Sequence, residues 1–225
     1  MSNELSSKMR AYMAEIYRLL DRQPNPSENV TSSQLADWLF VSPPAVNRMV
    51  NRLSELGLLV HQPYQGITIT ERGKLEALKH IRCQRIAEAF LVAVMGMNWL
   101  TVHEEALRLS DGLSEAIVQR MFEMTGAPSV CPHGEPIPDA QGALPPVRDE
   151  FLSRIGAGSK IRVSRLITRE FDRLQYIEAL GLVPGQVCEV IHVAPFDGPM
   201  QLQLGREFRI IGHSLAQLIR AEVVS

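Results

Sequence analysis

A chain of 225 residues with 45% hydrophobic and 21% charged side chains is long enough for one large domain or two to three small ones, and its composition is that of an ordinary folded protein. A formal net charge of −2 and a pI near 6.3 exclude a globally basic nucleic-acid binder, so any DNA surface has to be a local patch. Three scattered cysteines, Cys83, Cys131 and Cys188, exclude CxxC zinc and dithiol motifs. The most apolar run, AEAFLVAVMGMNWL (87–100), is too short to span a bilayer, and MSNELSSKMR lacks a signal-peptide core, so the expected location is the reducing cytoplasm with no membrane partner.

Residues 4–22 space Met9, Met13, Ile16, Leu19 and Leu20 along one face of a helix, which the prolines of QPNPSEN then break. A Thr/Ser start predicts a short helix over 31–40. Ser42 as N-cap, Pro43 or Pro44 in the first turn, the stripe Val46, Met49, Val50 and Leu53, and Gly57 as the stop predict another over 42–56. Two β-type runs, 58–62 and 66–70, flank a Pro-Tyr-Gln tip. Helix, short helix, helix, hairpin is the order of a winged helix-turn-helix.

A long helix is expected over 71–95, ending near Gly96, and a further helical stretch over 101–125 carries His103, Glu104, Glu105, Asp111 and Glu115. Residues 126–149, with six prolines and three glycines, read as a linker or extended loop and not as a packed element. Strands over 160–167, 186–194, 199–205 and 207–212, with helix-like DRLQYIEALGL among them, predict a small SH3-like β-barrel. The fold class is mainly α with a small β part: a winged helix over 1–72, a helical domain over 73–140, a linker over 141–154 and the SH3-like domain over 155–225.

A reading helix needs short polar groups in its first turn and amide or basic groups on its outer face. Ser42, Ala45, Asn47, Arg48, Asn51 and Arg52 hold those positions, and Pro44 and Ala45 offer apolar contact to a thymine methyl. Tyr64 and Gln65 at the hairpin tip are candidate phosphate or minor-groove contacts, although Tyr64 reads equally as a turn residue packed on its own hairpin. Residues 1–78 carry as many acidic as basic side chains, and helix-turn-helix shapes also serve as protein-binding modules. The absence of any acid on the outer face of 42–52 favours DNA.

EIYRLL, VSPPAVNRMVNRLSELGLLV, TERGKLEAL, VHEEA with LSEAI, CPHGEPIP and YIEALGLVPGQVCEVIHVAPFDGP together carry a resemblance over almost the whole chain. The sequence resembles the diphtheria-toxin-repressor type of iron- and manganese-dependent transcriptional regulators. The resemblance implies a winged helix that binds a palindromic double-stranded operator, middle helices that hold two metal sites and the homodimer interface, and an SH3-like tail. It implies a primary metal site at Ala11, Leu107, Ser110 and Asp111, where only Asp111 offers a carboxylate. It places the ancillary site at Gln84, Glu88, His103, Glu170 and Arg173, with Glu88, His103 and Glu170 as ligands for Mn²⁺ or Fe²⁺, or Zn²⁺, and Gln84 as a weak one.

Arg173 is a built-in cation that would pair with Glu170 or Glu88 and replace the metal, which gives the alternative of a metal-independent regulator. A protein-interaction module that has lost DNA binding is a further alternative. Taken singly, His103 reads as a surface or capping residue, Asp111 as a helix-ending residue, Cys83 as a packed thiol, and Glu104 with Arg108 as a solvated i,i+4 pair. Cys131 and His133 invite a metal reading, but their spacing is too tight for a well-formed shared site. The apolar run supplies Phe90, Val94, Met97 and Trp99 as dimer-seam candidates that read equally as core. No nucleophile–base pair, Walker loop or dinucleotide fingerprint appears, so neither an enzyme nor a small-molecule substrate is expected.

Overall fold

Tyr12, Met13 and Ile16 face one side of the first helix, α1 (Ser7–Arg22), and pack on α2 (Ser32–Leu39) and α3 (Pro43–Glu55) through Leu35, Val46, Val50 and Leu53. The computed structural model describes residues 5–22, 29–62 and 65–224. It divides the chain into one unit of Met1–Gln84 with Pro138–Leu144 and a second of Arg85–Ile137 with Pro145–Ser225.

In the first unit α2 opens with a reciprocal capping box: Thr31 Oγ1 accepts from the Gln34 N–H at 3.1 Å, and Gln34 Oε1 accepts from the Thr31 N–H at 2.8 Å. Ser42 stands at the N-cap of α3, yet its hydroxyl makes no capping bond. Pro43 and Pro44 fill the first turn and bring no N–H that would need one. The hairpin of β1 (Leu59–Gln62) and β2 (Gly66–Ile69) pairs Leu59 with Ile69 and Gln62 with Gly66, and Val30 bridges to Ile67. α4 (Glu71–Ala93) follows and begins against this wing. A Cβ at Gly73 would stand 2.0 Å from the Leu58 carbonyl oxygen and 2.7 Å from Met13 Cε, so only glycine admits that approach.

The second unit takes the rest of α4, then α5 (Val102–Ser110) and α6 (Glu115–Met124). The single helical stretch expected over 101–125 is two helices. Asp111 is extended, Gly112 turns with φ +98°, and Ser114 restarts the chain by capping the Ile117 N–H. The β part comprises β3 (Glu150–Phe151), β4 (Lys160–Leu166), β5 (Val187–Val193), β6 (Met200–Leu204), β7 (Glu207–Ile211) and β8 (Ile219–Val223). These form one antiparallel sheet in the order β3-β8-β4-β5-β6-β7, with α7 (Phe171–Ala179) between β4 and β5 and α8 (His213–Ala216) before β8. Ile161, Val163, Leu166, Leu174, Val190, Leu202 and Ile219 form its core. Strands β3 and β8 and helix α8 are additions to what the sequence pattern predicted.

Residues 131–137 belong to the packed interior, with only Pro132 part-exposed, which corrects the expectation of an unpacked linker. A buried loop is tolerable when its polar backbone groups are met. The prolines at 132, 136 and 138 bring no N–H at all, and the carbonyls find donors: Arg85 donates to Pro136 O, and the Leu166 N–H to His133 O at 2.9 Å. Further on, buried Asp149 accepts from Arg165 Nε and Ser164 Oγ, each at 2.8 Å, and from Arg220 Nε at 2.9 Å. Burial alone would push its carboxyl up; Arg165, Ser164 and Arg220 outweigh that and hold it below the ordinary carboxylate value.

Gly73→Ala is expected to destabilise the first unit by about 2 kcal/mol or more, because backbone rather than a flexible side chain has to move; a thermal melt reads it. The depressed Asp149 carboxyl contributes stability that is complete above the unfolded value of about 3.9 and is lost as pH falls through the lower folded value. Asp149→Asn should therefore lower the melting temperature at neutral pH and flatten the acid limb of the stability curve below about pH 4, by removing one partner of a buried pair worth about 3–5 kcal/mol.

Candidate metal centre and nucleic-acid interface

Glu88 lies on the buried face of α4 and is nearly inaccessible. Its carboxylate faces two imidazoles: His103 Nδ1 of α5 at 2.7 Å from Oε1, and His133 Nδ1 of the buried loop at 3.2 Å from Oε2. Burial alone would push the Glu88 carboxyl up. Hydrogen bonds from His103 and His133, together with the charges of His133 and Arg169, outweigh it and hold the carboxyl well below its usual range. His133 itself is shifted down, first by burial and then by Arg169, with Glu88 acting in the opposite sense.

Cys131 completes the group. Ligand atoms of Glu88, Cys131 and His133 lie within 4.8 Å of one another, all three side chains buried. The tight Cys-Pro-His spacing does not prevent this, because the chain turns sharply there. The Gly134 N–H donates to Cys131 O at 2.8 Å, the Cys131 N–H to Glu135 O at 2.9 Å, and Gly134 takes φ +82°. A Cβ at Gly134 would meet Ser164 O at 2.0 Å. Burial, then the charge of Glu88, pushes the Cys131 thiol well up. His133 Nε2 is buried without a hydrogen-bond partner among the described residues. One carboxylate, one imidazole and one thiol, drawn together out of water with a buried nitrogen left unmet, are a donor set that fits a divalent transition metal. Thiolate and imidazole suit Fe²⁺ or Zn²⁺ better than Mn²⁺.

The cation nearest this group in effect is Arg169, not Arg173. Glu135 is held between Arg85 Nη2 at 2.8 Å and Arg169 Nη2 at 2.7 Å. Arg169 also donates to the Leu166 and Thr168 carbonyls. Arg173 pairs with Glu170 at 2.8 Å on the exposed surface, so Glu170 is not brought to the buried group. Gln84 accepts from Arg18 and bonds His80, in the first unit. Asp111 is exposed, and Ser110 is buried with its hydroxyl on Leu107 O. Cys83 is half-buried. Arg108 pairs with Glu105 instead of Glu104. Val94 is exposed, Phe90 and Met97 are half-buried, and Trp99 packs on the core of the sheet and donates Nε1 to Glu178 at 2.8 Å.

On α3 the outer face carries Ser42, Pro44, Asn47, Arg48, Asn51 and Arg52, all exposed, with Ala45 half-buried. Arg52 pairs with Glu55 at 3.0 Å, an exposed contact that a phosphate can replace at little cost. Gln65 is exposed, and its carbonyl accepts from Asn29 at 2.8 Å. Tyr64 lies outside the described residues.

A winged helix joined in one chain to a helical module with a buried Glu–Cys–His group and to an all-β module is the build of a DNA-binding regulator. Residues 4–67 match the iron-dependent repressor N-terminal DNA-binding domain, residues 70–139 the iron-dependent repressor metal-binding and dimerisation domain, and residues 151–223 the FeoA domain. The iron-dependent repressor IdeR of Mycobacterium tuberculosis is 29% identical over 99% of this chain and 100% of its own. An HTH-type transcriptional regulator of Methanocaldococcus jannaschii is 33% identical over 52% of this chain and 91% of its own. A solved manganese-dependent transcriptional repressor in complex with manganese superposes with a TM-score of 0.89 at 26% identity, over 96% of this chain and 100% of that one. The chain belongs to the diphtheria-toxin-repressor family of iron- and manganese-dependent transcriptional regulators.

Glu135→Gln is expected to destabilise the second unit by about 3 kcal/mol, since it takes from buried Arg85 and Arg169 the carboxylate they share. Denaturant unfolding measures the loss; a change under about 0.5 kcal/mol would mean that water already shields both guanidinium groups.

Proposed function

We propose that this protein is a metal-dependent transcriptional repressor that acts in the cytoplasm and binds a palindromic DNA operator as a homodimer. The observation that carries the reading is the meeting of Glu88 with Cys131 and His133 in a chain whose α3 presents an exposed, acid-free face from Ser42 to Arg52. A divalent ion at that group would supply positive charge to a buried carboxylate and a buried thiolate and tie α4 to the loop over 131–135.

Glu88, Cys131 and His133 hold the ion in this reading, and His103 orients the Glu88 carboxylate through its hydrogen bond. Family positions Ala11 and Leu107 carry no donor, and Ser110 is spent on a backbone carbonyl, so the primary site is dismantled and the buried group does the sensing. Iron or zinc is favoured over manganese by the thiol. Repression follows from a population shift: the chain ligates the ion better in its DNA-competent arrangement than in others, and DNA affinity rises by that difference. Arg48 and Asn47 read base edges, while Arg52, Asn51 and Gln65 hold phosphates. Exposed Val94, Met95, Ile117 and Met124 of the second unit supply apolar surface for the partner protomer.

After chelation, operator affinity measured against added Fe²⁺, Zn²⁺ and Mn²⁺ should rise at least about ten-fold, with Fe²⁺ or Zn²⁺ acting at the lowest concentration. Cys131→Ala should abolish that rise. Arg48→Ala with Arg52→Ala should weaken binding in every metal state and reduce the salt slope by about one for each phosphate no longer neutralised. Affinity that stays flat across all three ions would overturn the metal-dependent reading.

A further inference from the structure

Phe40 is the residue that joins α2 to α3, and it is held in a way that nothing in its own fold rewards. Its φ of 52° and ψ of 42° put it in the left-handed region. That region suits glycine or asparagine, and a bulky aromatic there is a genuine outlier. The conformation is imposed by the end of α2: the Phe40 N–H reaches Asp37 O at 3.4 Å and the Val41 N–H reaches Ala36 O at 3.1 Å, the bonding of a helix terminus that usually closes on glycine. The phenyl ring gains nothing in exchange, because Phe40 is 95% exposed. Phe196 in the second unit shares such strain and exposure, so what sets Phe40 apart is its place beside α3.

The surroundings say what the ring would meet. Phe40 stands two residues before Ser42, at the end of α3 where the exposed Ser42, Pro44, Asn47 and Arg48 begin. The ring therefore extends the polar face of α3 with an apolar one, and the apolar atoms a duplex offers beside a reading helix are thymine C5-methyls and deoxyribose carbons. We propose that Phe40 is a DNA-contact residue, packing its exposed ring against the apolar atoms of the duplex at the border of the bases read by α3. This rests on the DNA-binding reading above and adds to it a contact that carries no charge.

The test uses the full-length protein and a duplex that it selects from a randomised pool. Phe40→Gly removes the ring and the strain together, so the melting temperature should stay level or rise by a few degrees. Affinity for the selected duplex should fall about ten-fold, equivalent to about 1.4 kcal/mol. Being apolar, the contact should leave the slope of log K against log salt unchanged, unlike Arg52→Ala. Replacing the thymines of the duplex by deoxyuridine separates the two sources. If the ring meets methyl groups, wild-type affinity falls towards that of Phe40→Gly; if it meets sugars, the difference between the proteins persists. Phe196, fully exposed with φ 59° in the second unit, is the matched control.

A stable Phe40→Gly protein that binds as tightly as the wild type would sink the proposal. So would an equal loss from Phe196→Gly, or a drop in melting temperature that marks Phe40 as structural. If the wild type selects no duplex at all, the DNA-binding reading itself fails, whereas weaker binding on Arg48→Ala with unchanged binding on Phe40→Gly removes only the aromatic contribution.

Discussion

A carboxylate shut away from water has to be compensated, and much of the second unit is arranged around that requirement at Glu88. Helix α4 carries it inward, α5 and the loop over 131–135 each bring an imidazole to one of its oxygens, and Arg169 adds its charge from the segment between β4 and α7. The same need explains why a proline-rich stretch is packed. Its carbonyls are met by Arg85 of the helix that bears Glu88 and by backbone N–H groups such as that of Leu166, and its prolines bring no donors of their own to satisfy. The buried Glu88–Cys131–His133 group, the packed loop and an arginine–glutamate–arginine arrangement are thus three parts of one electrostatic solution.

The two families of buried charge in this unit differ in kind. Asp149 has cations of its own on β4 and β8 and is complete as it stands. The Glu88 group combines a carboxylate with a thiol that burial keeps protonated and a histidine whose outer nitrogen has no partner among the described residues. The first arrangement locks a sheet; the second gathers carboxylate, thiol and imidazole donors of the kind that hold a transition metal.

Much of the architecture was legible in the sequence because it rests on local signals. Spacing of Met9, Met13 and Ile16, prolines at the start of α3, and period-two runs in the tail each name an element without knowledge of its neighbours. The candidate metal site was only half legible. Glu88 and His103, on separate helices, stand out only through the family resemblance, and Cys131 and His133 are brought to Glu88 by the fold of a loop far along the chain. Linear spacing does not reveal this proximity, because the turn at Gly134 folds the segment tightly. Nothing local marks Arg169 over Arg173: Phe171 opens α7, so Arg169 precedes it and pairs with buried Glu135 while Arg173 rides its exposed face. Only the positions of helix ends, which local patterning defines least well, separate those outcomes.

Strand β7 closes the sheet on one side and has no neighbour beyond it among the described residues. Phe208 and Ile210 are exposed along it, with charged Glu207 and Arg209 interleaved and paired with each other. An open strand bearing two large apolar side chains is a natural template for further pairing between molecules. The interleaved ions would have to shed water before another strand could lie alongside, so this short edge carries its own guard against growth into fibrous assemblies at the concentrations a crowded cell imposes.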